Sequence, residues 1–173
     1  MFKLIIVIVL SIILFLILSR NVEQFNDKKN NDFFKDKIVL ITGSTKGIGL
    51  SIAKKISKTG AIVIVNGRDE KRLESTVKLL EKNNKNKVSG IQADISLEEN
   101  IVKMFDDIIK KYGRIDILIN NAIGRYGKKK LSDKKISDWK KELDTNVNGV
   151  FHISQMVINH MKKKDLPCKI INI

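Results

Sequence analysis

The chain has 173 residues, 43% of them hydrophobic, which allows one domain of ordinary size with a sizeable core plus a short appendage. Its 33 Lys and Arg against 19 Asp and Glu give a formal charge of +14, but the basic residues are almost all scattered Lys, and the aromatics are too few to form a base-stacking platform. No nucleic-acid-binding motif accompanies them, so nucleic acid is excluded as a partner, and the single cysteine, Cys168, excludes an internal disulfide and a cysteine metal cluster.

From Leu4 to Leu18 every residue is Leu, Ile, Val or Phe except Ser11, with Lys3 and Arg20 as flanks. Counted as helix from Phe2 to Ser19, this stretch spans about 27 Å, close to the hydrocarbon thickness of an endoplasmic-reticulum-like bilayer. Ile17-Leu18-Ser19 is a poor cleavage site, so an uncleaved single-pass anchor over residues 1–20 is expected, meeting the membrane through residues 2–19. Its orientation is open, because charge lies on both sides. Residues 21–36 are rich in Asn, Asp, Lys and Gln, follow neither a helical nor a strand pattern, and read as a polar tether. The folded domain is expected over 37–173.

Within that domain Ile38 to Ile41 reads as a short strand, and Ile48, Ile52 and Ile56 recur at the spacing of one helix face. Between them lies Thr42-Gly-Ser-Thr-Lys-Gly-Ile-Gly49, a strand, glycine turn and helix in the order of a phosphate-binding turn. Glycines at 43, 47 and 49 admit backbone angles closed to other residues, and a helix start offers N–H groups and a partial positive charge to phosphates. Gly60 then ends the helix, Ala61 to Val65 is a second strand, and Asp69 caps a helix whose apolar face is Leu73, Val77 and Leu80.

After a polar loop at Lys82 to Lys87 comes a third strand, Val88 to Gln92. Ser96 and Glu99 have capping-box spacing ahead of a helix with Ile101, Phe105 and Ile108 facing inward, and Gly113 closes it. Ile115 to Ile119 makes a fourth strand, ending in Asn120-Asn-Ala-Ile-Gly124. Ser137 is read as the cap of one long helix with an apolar stripe of Leu143, Val147, Val150, Phe151, Val157 and Met161, and Pro167 stops it before a fifth strand, Lys169 to Ile173. Strands alternating with helices predict a parallel α/β sheet with its ligand at the strands' carboxyl ends.

The ordered set Thr42-Gly43-x-x-x-Gly47-Ile48-Gly49, Ala93-Asp94-Ile95, Asn120-Asn121-Ala122 and Asn146-Val147-x-Gly149-Val150-Phe151 resembles the short-chain dehydrogenase/reductase family. The resemblance implies a Rossmann-like doubly wound parallel sheet, here truncated after the fifth strand and preceded by the N-terminal transmembrane helix. It places Gly43, Ser44, Thr45, Lys46, Gly47, Ile48 and Gly49 around the cofactor phosphates and Asp94 and Ile95 at the adenine. Asn121 and Ala122 would line the route to the nicotinamide. Ile123 departs from the family's usual Asn-Asn-Ala-Gly. Gly67 stands where the family has its acidic residue, and Arg68 and Lys46 match its basic positions, which favours NADP over NAD.

By the same resemblance Asn146 supports a proton relay. The family's Ser and Tyr-x-x-x-Lys would fall beyond Ile173, so the chain alone is expected to be inactive; Tyr126-x-x-x-Lys130 has the spacing but the wrong position. The reading is a membrane-anchored NADP-dependent oxidoreductase acting on a carbonyl or alcohol substrate, with an inactive dinucleotide-binding fragment or half of a split enzyme as the alternative. A partner chain, or a homodimer, would use the long helix. No metal site is expected.

Overall fold

The computed structural model describes residues 33–82, 87–125 and 130–173. Aliphatic runs become strands where both faces of a sheet are covered. β1 (Ile38–Ile41), β2 (Ile62–Gly67) and β4 (Ile117–Asn120) are such runs, whereas the outer strands β3 (Val88–Gln92) and β5 (Lys169–Asn172) are more polar and partly exposed. They form one sheet in the order β3-β2-β1-β4-β5, every neighbouring pair parallel. The chain winds outward from β1 to β3, then returns to β1's other side for β4, so the order reverses at β1. A crevice is left there at the carboxyl ends.

The connecting helices are α1 (Gly47–Ile56), α2 (Glu70–Glu81), α3 (Glu98–Tyr112), α4 (Ile136–Leu143) and α5 (Gly149–Lys163). Alternation along β1 divides the core in two. Ile38 and Leu40 pack with Ile101, Met104, Phe105 and Ile108 of α3 and Ile153, Val157 and Met161 of α5. Val39 and Ile41 face Ala53 and Ile56 of α1 and Leu73 and Leu80 of α2. Phe34 joins this second cluster, so ordered packing begins ahead of the expected start at Lys37.

Several local expectations hold. Asp69 caps α2, its Oδ1 accepting from the Arg72 N–H at 2.9 Å. Gly113 ends α3 in the left-handed region at φ 77°. Others are corrected. Ser96 does not cap α3; its hydroxyl donates to Asp94 Oδ1 at 2.8 Å, and Leu97 takes the cap position. Ser137 lies inside α4, whose cap position is Lys135. The single long helix is two helices joined by a π turn, Asp144–Asn148, and this resets the apolar phase. Gly149, Ile153, Val157 and Met161 are buried, whereas Val147 and Phe151 are exposed. On α1 the buried face is Gly49, Ala53 and Ile56, and Ile48 is 63% exposed.

The fold class is corrected in one respect. Among the described residues no helix is long and apolar enough to cross a membrane. The longest, α3 and α5, have 15 residues each, about 22 Å against the roughly 30 Å of a hydrocarbon core. The expected N-terminal transmembrane helix, and the single-pass membrane localisation built on it, are therefore not supported. The stretch that prompted them, residues 1–20, lies outside the described residues, as does the tether as far as residue 32.

Candidate functional site

The carboxyl ends of β1, β2, β3 and β4 are tied together by side chains from the strand ends themselves. Thr42 Oγ1 donates to the Ile119 carbonyl at 3.4 Å and accepts from the N–H groups of Asn121 at 3.0 Å and Ala122 at 3.1 Å. Asn121 answers with its amide, Nδ2 donating to the carbonyls of Thr42 at 2.9 Å and Gly43 at 3.1 Å. On the other side Asn66, 2% exposed, accepts from the Gly43 N–H at 3.2 Å and donates to the carbonyls of Ile91 at 3.3 Å and Ala93 at 3.2 Å. Ser44 Oγ donates to the Ile41 carbonyl at 2.7 Å and accepts from the Asn66 N–H at 3.1 Å. Every polar atom named here is satisfied by another part of the rim, the condition for burying such groups at all.

The rim encloses a cleft of about 560 Å³. The glycine turn forms one wall. Gly43 is at φ +60°, and a Cβ on it would lie 2.6 Å from Ala122 Cα, so this position needs glycine for both angle and space. Gly47 is at φ +56°, yet a Cβ there would meet nothing within 4 Å. Its bare backbone faces open space. No side chain caps the start of α1 and no acidic residue occupies its first turn, so the positive end of the helix dipole is left uncompensated beside Gly47.

The end of the cleft beyond β2 and β3 is charged. Arg68 Nη1 donates to Asp94 Oδ2 at 3.4 Å, and Arg72 Nη2 lies 3.7 Å from Asp69 Oδ2. Burial pushes the Asp94 carboxyl up, but the Ser96 N–H and hydroxyl and the Arg68 guanidinium together outweigh it, and the net result is a carboxyl below its ordinary value. Asp94 is therefore ionised at neutral pH. Lys46 and Arg125 also line the cleft.

The structure gathers most of the expected residues. Gly43, Thr45, Lys46, Gly47, Ile48, Arg68, Asp94, Ile95, Asn121 and Ala122 all line the cleft. Two expected residues lie behind the wall. Ser44 is fully buried, and a Cβ on Gly49 would come within 2.3 Å of Asn121 Nδ2, so both shape the turn from inside. Asn146 sits in the π turn and clamps Gly124, next to Thr145, which does line the cleft. Tyr126 lies outside the described residues.

Sequence reasoning missed Thr42 as a tie, Asn66, Arg72, Thr145 and Arg125. Asn66 had a signal: an amide inside a β-branched run must find partners, because a buried polar group without them is costly. Arg72 had none, since its place on the cleft depends on how α2 enters after its cap.

The profile of the family described as short chain dehydrogenase matches residues 37–173. A 3-oxoacyl-acyl-carrier-protein reductase of Buchnera aphidicola is 38% identical over 127 residues, 73% of this chain and 50% of that protein. An NADP-dependent (R)-specific alcohol dehydrogenase of Lentilactobacillus kefiri is 35% identical over 141 residues, covering 82% and 55% respectively. Among solved structures, a short chain dehydrogenase from Bacillus anthracis superposes with a TM-score of 0.73 at 34% identity, over 80% of this chain and 55% of that one. The chain thus spans about half the length of the relatives it matches. It belongs to the short chain dehydrogenase family.

Proposed function

We propose that this member of the short chain dehydrogenase family is the dinucleotide-binding part of an oxidoreductase that uses NADP(H) on a carbonyl or alcohol substrate. One observation carries the reading: a cleft at the sheet's switch point has bare glycine backbone and an uncapped helix start on one wall, and cations at its far end. That donor set fits a dinucleotide. The open space at Gly47 admits a pyrophosphate to the main chain, where any side chain would intrude. When bound, a nicotinamide dinucleotide supplies or accepts hydride.

The chain's own residues then bind and orient. Asp94, ionised and partly buried, and Ile95 are assigned to the adenine. Arg68 and Lys46 are assigned to the 2′-phosphate, and Asn121 and Ala122 to the path toward the reacting ring. Asn146, through its hold on Gly124, positions the segment after β4. Preference for NADP is supported at Gly67, where a Cβ would fall 2.5 Å from Thr45 Cγ2, so a ribose-binding carboxylate there would require Thr45 to move. It is supported also by the NADP-dependent relative. The relatives named above, a 3-oxoacyl reductase and an alcohol dehydrogenase, support a carbonyl or alcohol substrate class. The exposed apolar side chains Val147 of the π turn and Phe151 and Ile158 of α5 support association with a second copy or a further chain along this helical segment.

Titration of the full chain with NADPH and NADH, followed by intrinsic fluorescence, tests the cofactor assignment, with Gly47→Trp as the control that fills the open space. Saturable binding, tighter for NADPH and abolished in the control, is expected. A folded wild-type chain that binds neither nucleotide would sink the reading.

A further inference from the structure

We infer that Arg72, a residue the family motifs do not single out, is a second specificity-determining cation for the 2′-phosphate, and that its pairing with Asp69 silences the carboxylate that would otherwise favour a free 2′-hydroxyl. The inference rests on the dinucleotide reading above. Arg68, Asp69, Arg72 and Asp94 all line the same end of the cleft. Asp69 is the acidic residue that follows β2 most closely, the place from which a carboxylate accepts a ribose hydroxyl in an NAD-selective site. Here both of its oxygens face Arg72. Oδ1 accepts from the Arg72 N–H at 2.9 Å, and Oδ2 lies 3.7 Å from Arg72 Nη2.

These two interactions differ in kind. The first is a helix cap that any residue at 72 other than proline could satisfy, because it uses the backbone. The second belongs to the guanidinium alone, and at 3.7 Å between half-exposed groups it is a loose ion pair that leaves N–H donors of the fork available. A dianionic phosphate entering this end of the cleft would find a planar donor already held toward it, the geometry guanidinium groups offer to phosphate oxygens. A ribose without the phosphate would find Asp69 already engaged. Arg72 thus acts twice, by attraction to one nucleotide and by withholding a carboxylate from the other.

The test uses 2′,5′-ADP and 5′-ADP as probes, with their affinities for the full chain measured by calorimetry. Arg72→Ala is expected to weaken 2′,5′-ADP about tenfold while leaving 5′-ADP unchanged or tighter. Arg72→Lys should recover part of the loss. Lys71→Ala, on an exposed neighbour that does not line the cleft, should change neither. Adding Asp69→Asn to Arg72→Ala should cancel any gain for 5′-ADP, while its Oδ1 keeps the cap. Equal weakening of both probes, or of neither, in Arg72→Ala would overturn the inference while leaving the dinucleotide reading intact. A wild-type chain that binds neither probe would overturn both.

Discussion

Asn146 holds both backbone polar groups of Gly124: its Oδ1 accepts from the Gly124 N–H at 2.7 Å and its Nδ2 donates to the Gly124 carbonyl at 3.1 Å. Gly124 is buried, so each bond replaces one that water cannot supply. Replacing Asn146 with Ala should cost about 1–3 kcal/mol in urea unfolding and greatly accelerate exchange of the Gly124 amide. Asn146→Asp should not rescue it, because an oxygen would then face the Gly124 carbonyl. An Asn146→Ala chain with unchanged Gly124 protection would show that the clamp does not form in solution.

Two glycine substitutions should separate site from scaffold. At Gly47 an added Cβ meets nothing within 4 Å, so Gly47→Ala should lose only about 1 kcal/mol from its φ of +56°, yet impair nucleotide binding. At Gly149 the added Cβ would lie 2.1 Å from the Ile95 carbonyl oxygen, which is backbone and cannot step aside. Gly149→Ala should cost about 3 kcal/mol or more. Thermal melts of the two variants, with NADPH binding by the first, check the contrast.

How much of this could be read from the sequence depends on where each signal is stored. The glycine turn, Asp69 as a cap and the five strands were legible because they are local: angle, cap and short apolar run involve neighbours along the chain. The phase of α5 was not. One continuous 3.6-residue period carried from Leu143 to Met161 puts Phe151 inside, whereas the π turn at Asp144–Asn148 leaves it 65% exposed and buries Ile153 instead. Arg72 and Thr42 were missed for the opposite reason, since each acts through partners that only folding brings near.

Asn66 offers the sharpest stability test at the site. Asn66→Leu removes one acceptor and two donated bonds and strands the carbonyls of Ile91 and Ala93. A loss of about 3 kcal/mol is expected, with binding weakened further because Gly43 is no longer held. Asn66→Asp keeps the Gly43 bond but buries a charge against two carbonyls, and should be no better. Denaturant midpoints with unchanged m-values would confirm that the loss arises in the folded state.

Acid should reveal Asp94. Its carboxyl sits below the ordinary value of 3.8 in the folded chain, so it contributes stability that is fully present above that value and is lost as pH falls through the folded one. Asp94→Asn should therefore be less stable than wild type by about 1 kcal/mol at pH 7, and the gap should close below pH 3.8. A gap that stays constant from pH 7 to pH 3 would argue against the Ser96 and Arg68 contacts.

The central place of β1 also sets an order of assembly. Ile38 donates its N–H to Asp116, 78 positions later, and β1 gains its second neighbour only when β4 has been made. During synthesis the β1–β2–β3 half can pair on its own, but the outer edge of β1, its border strand until β4 arrives, waits, apolar and unpaired, while the intervening chain emerges. Long-range parallel pairing of this kind is slow and exposes sticky edges on the way. The waiting edge of β1, rather than the finished rim, is where a chaperone would have most to do, and where slowing translation ahead of β4 would lower the folded yield.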